Sequence, residues 1–423
     1  MKTVVVVGGG WAGCAAAAMA AAKGCEAVLL ERTDMLLGTG LVGGIMRNNG
    51  RFTATEEAIE LGLGHLFKVI DETCRHKDIE FPGHKHASLY DVGLMEPVIK
   101  RELLKLGVRI YLQERITDLE MDGPIIKKVI GSGGTLFPGD AFIDTTGTAG
   151  GINNCTRHGN GCAMCVLRCQ SFGGRVSLTA KAGVEEIVGV RKDGSIGAMS
   201  GSCKLFKESL EPSLVRELND KGVVVIPVPK EQINADKLSS KACQQYASQE
   251  YAENIILLDT GHAKLMSPFY PLELLRAIPG MENARYEDPY SGGIGNSMRY
   301  FGMAPRDDAL KVEGVENLFC AGEKAGLLVG HTEAIVTGSL AGLNAALTAE
   351  GKEPVTLPES LAVGSAIKFV RREMQTDEGK CKKYTFSGSV LFDHMLEEDH
   401  YTTDLAEIKT RVEQTGLKEV IAR

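Results

Sequence analysis

Apolar runs along the first 32 residues alternate between the patterns of a buried strand and of a helix. Val4 to Val7 form an uninterrupted β-branched run, which is typical of a parallel strand buried on both faces. An alanine-rich segment from Trp11 to Lys23 predicts a helix, and the sequence EAVLLER after it predicts a second strand. This order of elements indicates a βαβ unit at the start of an α/β fold.

A glycine motif joins the first strand to the helix. Gly8, Gly10 and Gly13 form the pattern G-x-G-x-x-G. The first glycine permits a tight turn, the second lets a pyrophosphate approach the backbone, and the third lets the helix pack closely on the strand. Glu31 ends the second strand about 20 residues further on, where a carboxylate can accept hydrogen bonds from a ribose. The unit therefore predicts a dinucleotide site.

Two later segments repeat the arrangement of a strand that ends in a glycine turn. GDAFIDTTGTAG predicts a strand ending at Asp144, followed by a turn through Thr146 and Gly147. GVENLFCAGEKAGLLVGHTEAIVTGSLAGLNAAL predicts a strand at 317–320, a glycine loop and a helix from about Thr332. The chain therefore carries glycine turns at distant points that can converge on one bound cofactor.

These segments resemble known flavoproteins. The strand ending in TTG is similar to the ATG strand of glutathione-reductase-type flavoproteins, and CAGEKAGLLVGHTEAIVTGSLAGLNAA resembles their second FAD motif. LVGGI and LRAIPGMENARYEDPY further resemble the GidA-like group, which comprises FAD enzymes of tRNA wobble-uridine modification and folate- and FAD-dependent tRNA uridine methyltransferases. The resemblance implies an α/β fold with a Rossmann-like FAD domain, built from a parallel sheet plus a small antiparallel sheet.

The resemblance also implies a set of cofactor-binding residues. Glu323 would bind the ribityl chain of FAD, and the N-terminus of the following helix would face the flavin pyrimidine, where a helix dipole stabilises negative charge. Backbone at Ile116 is expected to contact the adenine. The full set is Gly8, Gly10, Gly13, Glu31, Arg32, Gly43, Gly44, Ile116, Thr146, Gly147, Gly322, Glu323, Gly330 and Thr332.

Candidate proton donors and acceptors lie late in the chain. His331 precedes the helix predicted to face the flavin and is the best single proton-transfer candidate, the alternative being an ordinary helix-start residue. His262 and Lys264 lie in DTGHAKLMSPFYP, which is either a substrate-facing loop or ordinary surface. No second G-x-G-x-x-G follows a strand, so the sequence predicts no separate NAD(P)H domain. The GidA-like resemblance implies NAD(P)H as a candidate electron donor, because that group binds it without this motif.

Four of the 11 cysteines lie in CTRHGNGCAMCVLRC, at Cys155, Cys162, Cys165 and Cys169. The last three match the end of a bacterial ferredoxin run, so the four could hold a [4Fe–4S] cluster. Alternatively, Cys162 and Cys165 form a C-x-x-C pair that could act as a redox dithiol. Structural zinc and a loop without chemistry are the remaining interpretations. The proximity to Gly147 in sequence favours the two redox interpretations.

Charge and departures from the GidA-like pattern restrict the expected partners. The cysteine-containing loop that those RNA enzymes carry near the flavin is replaced by GTGLVGGIMRNNG, and the tail after Leu347 is shorter than their helical tRNA-binding domain. The net charge of −8 gives no indication of a basic surface that would bind nucleic acid. A small molecule or a protein redox partner is therefore expected ahead of RNA, with homo- or hetero-oligomers both open.

The segments suggest four consecutive regions. Residues 1–150 and 310–350 form the two parts of the FAD domain, residues 151–309 form an inserted α+β substrate domain that begins with the cysteine loop, and residues 351–423 form a helical tail. No stretch of 18 or more apolar residues occurs, and the N-terminal run fits a buried strand better than a signal peptide. We therefore expect a cytoplasmic protein without membrane attachment.

These observations leave three functional hypotheses. The first is an FAD-dependent oxidoreductase whose flavin exchanges electrons with the cysteine loop, as a [4Fe–4S] cluster or a dithiol, and with a substrate or partner. The second is an FAD-dependent enzyme that modifies uridine in tRNA or rRNA, as the GidA-like resemblance implies. The third is a non-catalytic electron-transfer or assembly subunit that docks through its C-terminal helices.

Overall fold

The computed structural model describes residues 1–148, 168–191, 194, 196, 198–200, 202–233, 246, 248–267, 270–287, 297–299 and 302–422. The strands in this part of the chain are β1 (Thr3–Val7), β2 (Glu26–Leu30), β3 (Ile45–Met46), β4 (Cys74–Phe81), β5 (His84–Tyr90), β6 (Arg109–Tyr111), β7 (Ile116–Asp122), β8 (Ile125–Gly131), β9 (Leu136–Pro138), β10 (Ala141–Asp144), β11 (Ile187–Val188), β12 (Ala198–Ser200), β13 (Cys203–Leu205), β14 (Val223–Pro227), β15 (Asn254–Asp259), β16 (Ala263–Leu265), β17 (Ser297–Arg299), β18 (Gly302–Met303) and β19 (Leu318–Cys320).

The helices of the same part of the chain are α1 (Trp11–Ala22), α2 (Gly40–Gly43), α3 (Gly50–Glu60), α4 (His65–Thr73), α5 (Met95–Lys105), α6 (Cys169–Phe172), α7 (Leu178–Lys181), α8 (Pro212–Lys221), α9 (Gln249–Glu253), α10 (Leu272–Arg276), α11 (His331–Ala349), α12 (Ala362–Glu373), α13 (Ser389–Glu397), α14 (Leu405–Gln414) and α15 (Leu417–Ala422). None of them has the length and apolar character that crossing a lipid bilayer requires.

A five-stranded parallel sheet organises the molecule, with strand order β19-β10-β1-β2-β6. Residues 4–7 of β1 and all four residues of β10 are buried, as expected for strands covered on both faces. Val7 pairs with Asp144, and Asp144 pairs with Cys320. The carboxyl ends of β1, β10 and β19 therefore meet at one edge of the sheet, where all three predicted glycine turns begin.

Helices α1 and α11 pack against each other backbone to backbone. A Cβ on Gly338 would overlap the carbonyl oxygen of Ala12 and lie 2.9 Å from its Cα, and a Cβ on Gly342 would meet Ala16 in the same way. Glycine at these two positions of α11, facing alanine on α1, is what allows the approach. The contact places the N-termini of the two helices beside the same sheet edge.

A second, antiparallel sheet with strand order β13-β16-β15-β14 forms the inserted part of the chain and has its own apolar core. A third cluster, including Leu89 of β5 and Leu258 of β15, joins this sheet to the antiparallel sheet β3-β5-β4. Beside it, the buried carboxylate of Asp259 accepts hydrogen bonds from Arg75, His76 and Lys207. An apolar cluster and an ionic cluster thus hold the inserted sheet against the first part of the chain.

The C-terminal region is helical and contributes to the main core. Tyr384 lies fully buried and exchanges backbone hydrogen bonds with Leu327 and Val329, which lie just before α11. Buried residues of α12, α13 and α14 belong to the same apolar cluster as β1 and α1. The predicted fold class is confirmed: a Rossmann-like parallel sheet with small antiparallel sheets, an inserted α+β region and a helical C-terminal region. The four domain boundaries stay a prediction.

Candidate cofactor and active site

The glycine turn after β1 leaves open space beside the N-terminus of α1. Gly8 has φ +109°, a conformation that residues with a Cβ rarely adopt, and a Cβ there would lie 2.7 Å from the carbonyl carbon of Thr145. A Cβ on Gly13 would lie 3.0 Å from the carbonyl carbon of Gly8, so glycine lets the helix sit on the turn. A Cβ on Gly10 would have no atom within 4 Å. This gap at a helix N-terminus fits a pyrophosphate.

Glu31 lies at the end of β2 and faces this turn. Its Oε2 accepts a hydrogen bond from the Gly9 amide at 2.7 Å, and its Oε1 accepts one from the Thr33 amide at 2.8 Å. The carboxylate is thereby fixed next to the glycine turn, where a ribose hydroxyl can be bound. The guanidinium of the next residue, Arg32, donates to the carbonyl of Gly173 at 2.7 Å, so that it is held by the segment after the cysteine cluster.

The turn after β10 is fixed by a fully buried carboxylate. Asp144 Oδ1 accepts from the hydroxyl of Thr146 at 2.7 Å, and Oδ2 accepts from the hydroxyl of Thr179 at 2.7 Å. Burial alone would raise the pKa of Asp144, but the nearby ammonium of Lys324 and these hydrogen bonds lower it below its ordinary value. Thr146 and Gly147 are thus brought to the same sheet edge as the first glycine turn.

The loop between β19 and α11 is tied to both neighbouring segments. The carboxylate of Glu323 accepts from the hydroxyl of Thr148 at 2.7 Å, and the Gly322 amide donates to the hydroxyl of Thr337 at 2.9 Å. Gly330 is the residue before α11, and Thr332 lies in its first turn. The Thr332 hydroxyl is buried and has no hydrogen-bond partner among the described residues. An unsatisfied buried hydroxyl at a helix N-terminus fits a ligand with hydrogen-bonding groups.

His331, the first residue of α11, packs against the segment that contains Gly43. A Cβ on Gly43 would lie 2.6 Å from both ring nitrogens of the histidine, so only glycine permits this contact. The Tyr90 hydroxyl donates to the Gly40 carbonyl at 2.8 Å and lies 3.2 Å from Nδ1 of His331. Because a phenol has one proton, Nδ1–H of the histidine is the donor in the second bond, which leaves Nε2 as the acceptor of the neutral ring.

The carboxylate of Glu333, in the first turn of α11, is hydrogen-bonded to α3 and to the C-terminal region. Its Oε1 accepts hydrogen bonds from the guanidinium of Arg51 at 3.2 Å, from the hydroxyl of Thr385 at 2.7 Å and from the Phe386 amide at 2.8 Å. Glu333 is fully buried and Arg51 is 93% buried. A Cβ on Gly330 would lie 2.8 Å from the carboxyl carbon of Glu333, so the turn before the helix is packed directly on this ion pair.

Comparison with known proteins establishes the family. The family model for glucose inhibited division protein A matches residues 3–251 and 260–353. The chain belongs to this family. The GidA structure from Aquifex aeolicus, in its form II crystal, superposes with a TM-score of 0.71 at 18% identity, covering 100% of this chain and 73% of that one. At that identity the likeness shows the fold alone.

Curated relatives match a shorter part of this GidA-family chain. The methylenetetrahydrofolate–tRNA-(uracil-5-)-methyltransferase TrmFO of Thermus thermophilus is 37% identical over 100 residues, which are 23% of this chain and 21% of that protein. The tRNA uridine 5-carboxymethylaminomethyl modification enzyme MnmG of Acholeplasma laidlawii is 39% identical over 87 residues, covering 20% and 13% of the two chains. The matched part therefore spans about a fifth or less of each relative's length.

Of the four clustered cysteines in this GidA-family chain, only Cys169 lies in the described part, as the first residue of α6. Cys155, Cys162 and Cys165 lie outside it, so the metal and dithiol hypotheses stay predictions. No group of three or more His, Cys, Asp or Glu side chains that could hold a metal occurs among the described residues.

The described residues on either side of the cysteine segment both contact the candidate site. Thr148, before it, donates to Glu323, as described above. Gly173, after it, accepts a hydrogen bond from Arg32, a predicted cofactor-binding residue, at 2.7 Å. Ile116 begins β7, where it is buried and pairs with Gly131. This burial and pairing do not test whether Ile116 contacts an adenine, so that contact stays a prediction.

Sequence reasoning missed several groups that the GidA-family fold brings to the site. Arg51 and Tyr90 lie far in sequence from the α11 residues that they contact. Lys324 lies next to the predicted Glu323, fully buried, and contacts Asp144 and Glu186. Burial lowers the pKa of Lys324 to about 7, against the opposing effect of Asp144. The sequence signal was a charged residue inside an otherwise small and apolar motif, which marks a buried, partnered charge.

Proposed function

We propose that this GidA-family chain is an FAD-dependent enzyme that modifies a uridine base in tRNA. The flavin part of the proposal depends on one observation: the N-termini of α1 and α11 lie at one sheet edge, with open space at Gly10 and an unsatisfied buried hydroxyl at Thr332. The substrate part is supported by the curated relatives, which are named for reactions on tRNA uridine.

The residues present fit FAD along its whole length. The amides at the start of α1, next to Gly10, would bind the pyrophosphate, and Glu31 would bind the adenosine ribose. Glu323 would bind the ribityl chain, and the first turn of α11 with Thr332 would bind the pyrimidine edge of the flavin. FAD supplies hydride or electron-pair transfer chemistry when it is bound.

His331 is the residue that we assign to proton transfer. Its Nδ1–H is engaged by Tyr90, so Nε2 carries the lone pair that can take a proton from a substrate. Burial raises the pKa of Tyr90, which keeps the phenol protonated near neutral pH, with its proton donated to the Gly40 carbonyl. The contact with Gly43 holds the ring in one orientation, as a general base requires.

The proposal is tested with purified protein, FAD and an unmodified tRNA transcript. We expect a yellow protein that retains tRNA in a salt-sensitive manner and, with NADH and methylenetetrahydrofolate as candidate co-substrates, produces a modified uridine detectable by nucleoside mass spectrometry. The His331→Gln variant should retain FAD and lose the modification. A protein that takes up no FAD would overturn the flavin part. A flavoprotein that neither retains tRNA nor changes its uridines would overturn the substrate part.

A second candidate is an FAD-dependent oxidoreductase whose flavin exchanges electrons with the cysteine segment. The observation that favours it is that Thr148 before that segment contacts Glu323, and Gly173 after it accepts a hydrogen bond from Arg32. Anaerobic purification with iron and sulfide assays tests it. About four irons per chain would support a [4Fe–4S] cluster. Iron-free protein with two titratable thiols would support the dithiol. A protein that shows neither the irons nor the two thiols would rule this candidate out.

A further inference from the structure

Two lysines of the inserted sheet lie against the segment that carries Gly43 and Gly44. Lys204 of β13 pairs directly with Lys264 of β16, so both side chains lie on the same face of the sheet. The ammonium of Lys264 donates to the Val42 carbonyl at 2.5 Å and to the Ser202 hydroxyl at 2.7 Å. The ammonium of Lys204 donates to the Leu41 carbonyl at 3.2 Å. Two cations thus bind successive carbonyls of one short segment.

This arrangement is costly for a purely structural contact. Lys264 is 95% buried, and like charges directly opposite each other in a sheet are destabilising. No described carboxylate forms an ion pair with Lys264, whereas the other deeply buried lysine, Lys324, contacts both Asp144 and Glu186. Burial, with a further contribution from Lys204, lowers the pKa of Lys264 to about 7. A buried positive charge without a carboxylate partner in the described chain points to a functional site.

The segment held by the lysines is also part of the candidate site. Gly43 packs against His331, and a Cβ on Gly44 would lie 2.8 Å from Cβ of Thr260, just before β16. The residues from Leu41 to Gly44 are therefore clamped between the inserted sheet on one side and the start of α11 on the other. A displacement of the segment would move the histidine's packing surface together with it.

We propose that Lys264, assisted by Lys204, is a positioning residue that fixes the Leu41–Gly44 segment and makes this wall of the site favourable for an anionic ring edge, such as that of reduced flavin. The proposal rests on the proposed function for the identity of the ring. The two lysines act through the Leu41 and Val42 carbonyls and through their field, because positive charge stabilises negative charge that develops in a desolvated site. An anionic ring edge at this wall would in turn favour the charged form of Lys264.

The first test uses hydrogen exchange of the cofactor-free protein and needs no flavin. Lys264→Met removes both hydrogen bond and charge, and we expect amide exchange in residues 41–46 to become at least tenfold faster. Lys264→Gln retains a donor for the Val42 carbonyl and should restore most of the protection. Lys127→Met, at a lysine that is about half exposed on β8, is the control and should change nothing.

The second test uses the FAD-loaded protein and sulfite, an anion whose adduct with flavin is bleached and is stabilised by nearby positive charge. We expect the sulfite dissociation constant to rise at least tenfold in both Lys264 variants, which corresponds to about 1.4 kcal/mol. Lys204→Met, at a partly exposed position, should raise the sulfite dissociation constant by a smaller factor. It replaces the Lys264 variants in this test if those do not fold. Lys127→Met should bind sulfite like the wild type.

The outcomes separate this proposal from the proposed function. Unchanged exchange and unchanged sulfite affinity in the Lys264 and Lys204 variants would overturn the positioning role. If amide exchange were faster in Lys264→Met but the protein bound no FAD, the positioning role of Lys264 would stand and the FAD part of the proposed function would be rejected. Faster exchange with unchanged sulfite affinity would reject the electrostatic part.

Discussion

The contact between α1 and α11 makes a sharp prediction about glycine. In an exposed helix interior, Gly→Ala stabilises by about 1 kcal/mol because alanine has the higher helix propensity. At Gly338 we expect the opposite result. A Cβ there would overlap the Ala12 carbonyl oxygen and lie 2.9 Å from both the carbonyl carbon and the Cα of Ala12. These are backbone atoms of a packed helix, so no side chain can rotate away.

The magnitude follows from the overlap. Carbon atoms pack best at about 3.5–4.0 Å, so the helices must separate by roughly 0.6–1 Å. Overpacking of this kind costs about 1–3 kcal/mol, and we take 2–3 because the clash is with backbone. Subtracting the propensity gain leaves a net loss of about 1–2 kcal/mol. The shift also moves two helix N-termini, each worth about 0.3–1 kcal/mol to a bound anion, so FAD binding should weaken by about tenfold.

The assay compares Gly338→Ala with a matched glycine variant. Gly133→Ala lies in the turn between β8 and β9, where a Cβ would have no atom within 4 Å, and it should unfold and bind FAD like the wild type. Urea unfolding of the cofactor-free proteins gives the stability difference, and quenching of flavin fluorescence gives the affinity. If Gly338→Ala were as stable as Gly133→Ala and bound FAD equally well, the helix contact would not control the site.

Three further predictions concern charged groups. Burial would raise the pKa of Asp259, but hydrogen bonds from Lys207, His76 and Arg75 lower it to about 2. Its contribution, about 2 kcal/mol, is therefore nearly complete above about pH 4 and is lost as the pH falls toward 2, so Asp259→Asn should flatten the difference in stability between pH 5 and pH 2 measured by urea unfolding. Lys324→Met should lose about 3 kcal/mol in thermal unfolding, because Asp144 and Glu186 would keep their charges without the ammonium. Glu31→Gln should weaken FAD binding by about 10- to 100-fold in fluorescence titration, the range for a hydrogen bond to a charged group. It should also lower stability by about 1–3 kcal/mol in urea unfolding, because the glutamine NH2 cannot accept from the Gly9 or Thr33 amide that a carboxylate oxygen now accepts from.

Local pattern was sufficient for the elements that surround the first glycine turn. The valine run, the glycine spacing and the terminal Glu31 each have a local physical cause, and the structure has the strand, helix and strand where those causes place them. The helix after the last glycine loop was equally readable, since α11 begins at His331 and the sequence predicted its start at about Thr332. These features depend on neighbouring residues and on the period of a single element.

The walls of the site were not readable in this way, because each is made by residues distant in sequence. Lys204 meets the Leu41 carbonyl only because β13 pairs with β16 and the inserted sheet packs on the first part of the chain. Tyr90 meets His331 through a separation of 241 residues. A lysine or tyrosine in a short strand has no local signal that distinguishes a site residue from a surface residue, so only the tertiary contact identifies it.

The start of α11 shows why the C-terminal region belongs to the site and is more than a cap. Glu333 is fully buried, and a buried carboxylate needs hydrogen-bond donors. Those of Glu333 all reach Oε1, and Oε2 has no hydrogen-bond partner among the described residues. Arg51 supplies one donor, but the other two come from Thr385 and Phe386 of the C-terminal region. The same segment hydrogen-bonds the loop before α11 through Tyr384. The first turn of this helix presents both His331 and Thr332, so the geometry of the proposed proton acceptor and of the flavin contact is set jointly by a residue of α3 and by chain more than 50 positions downstream.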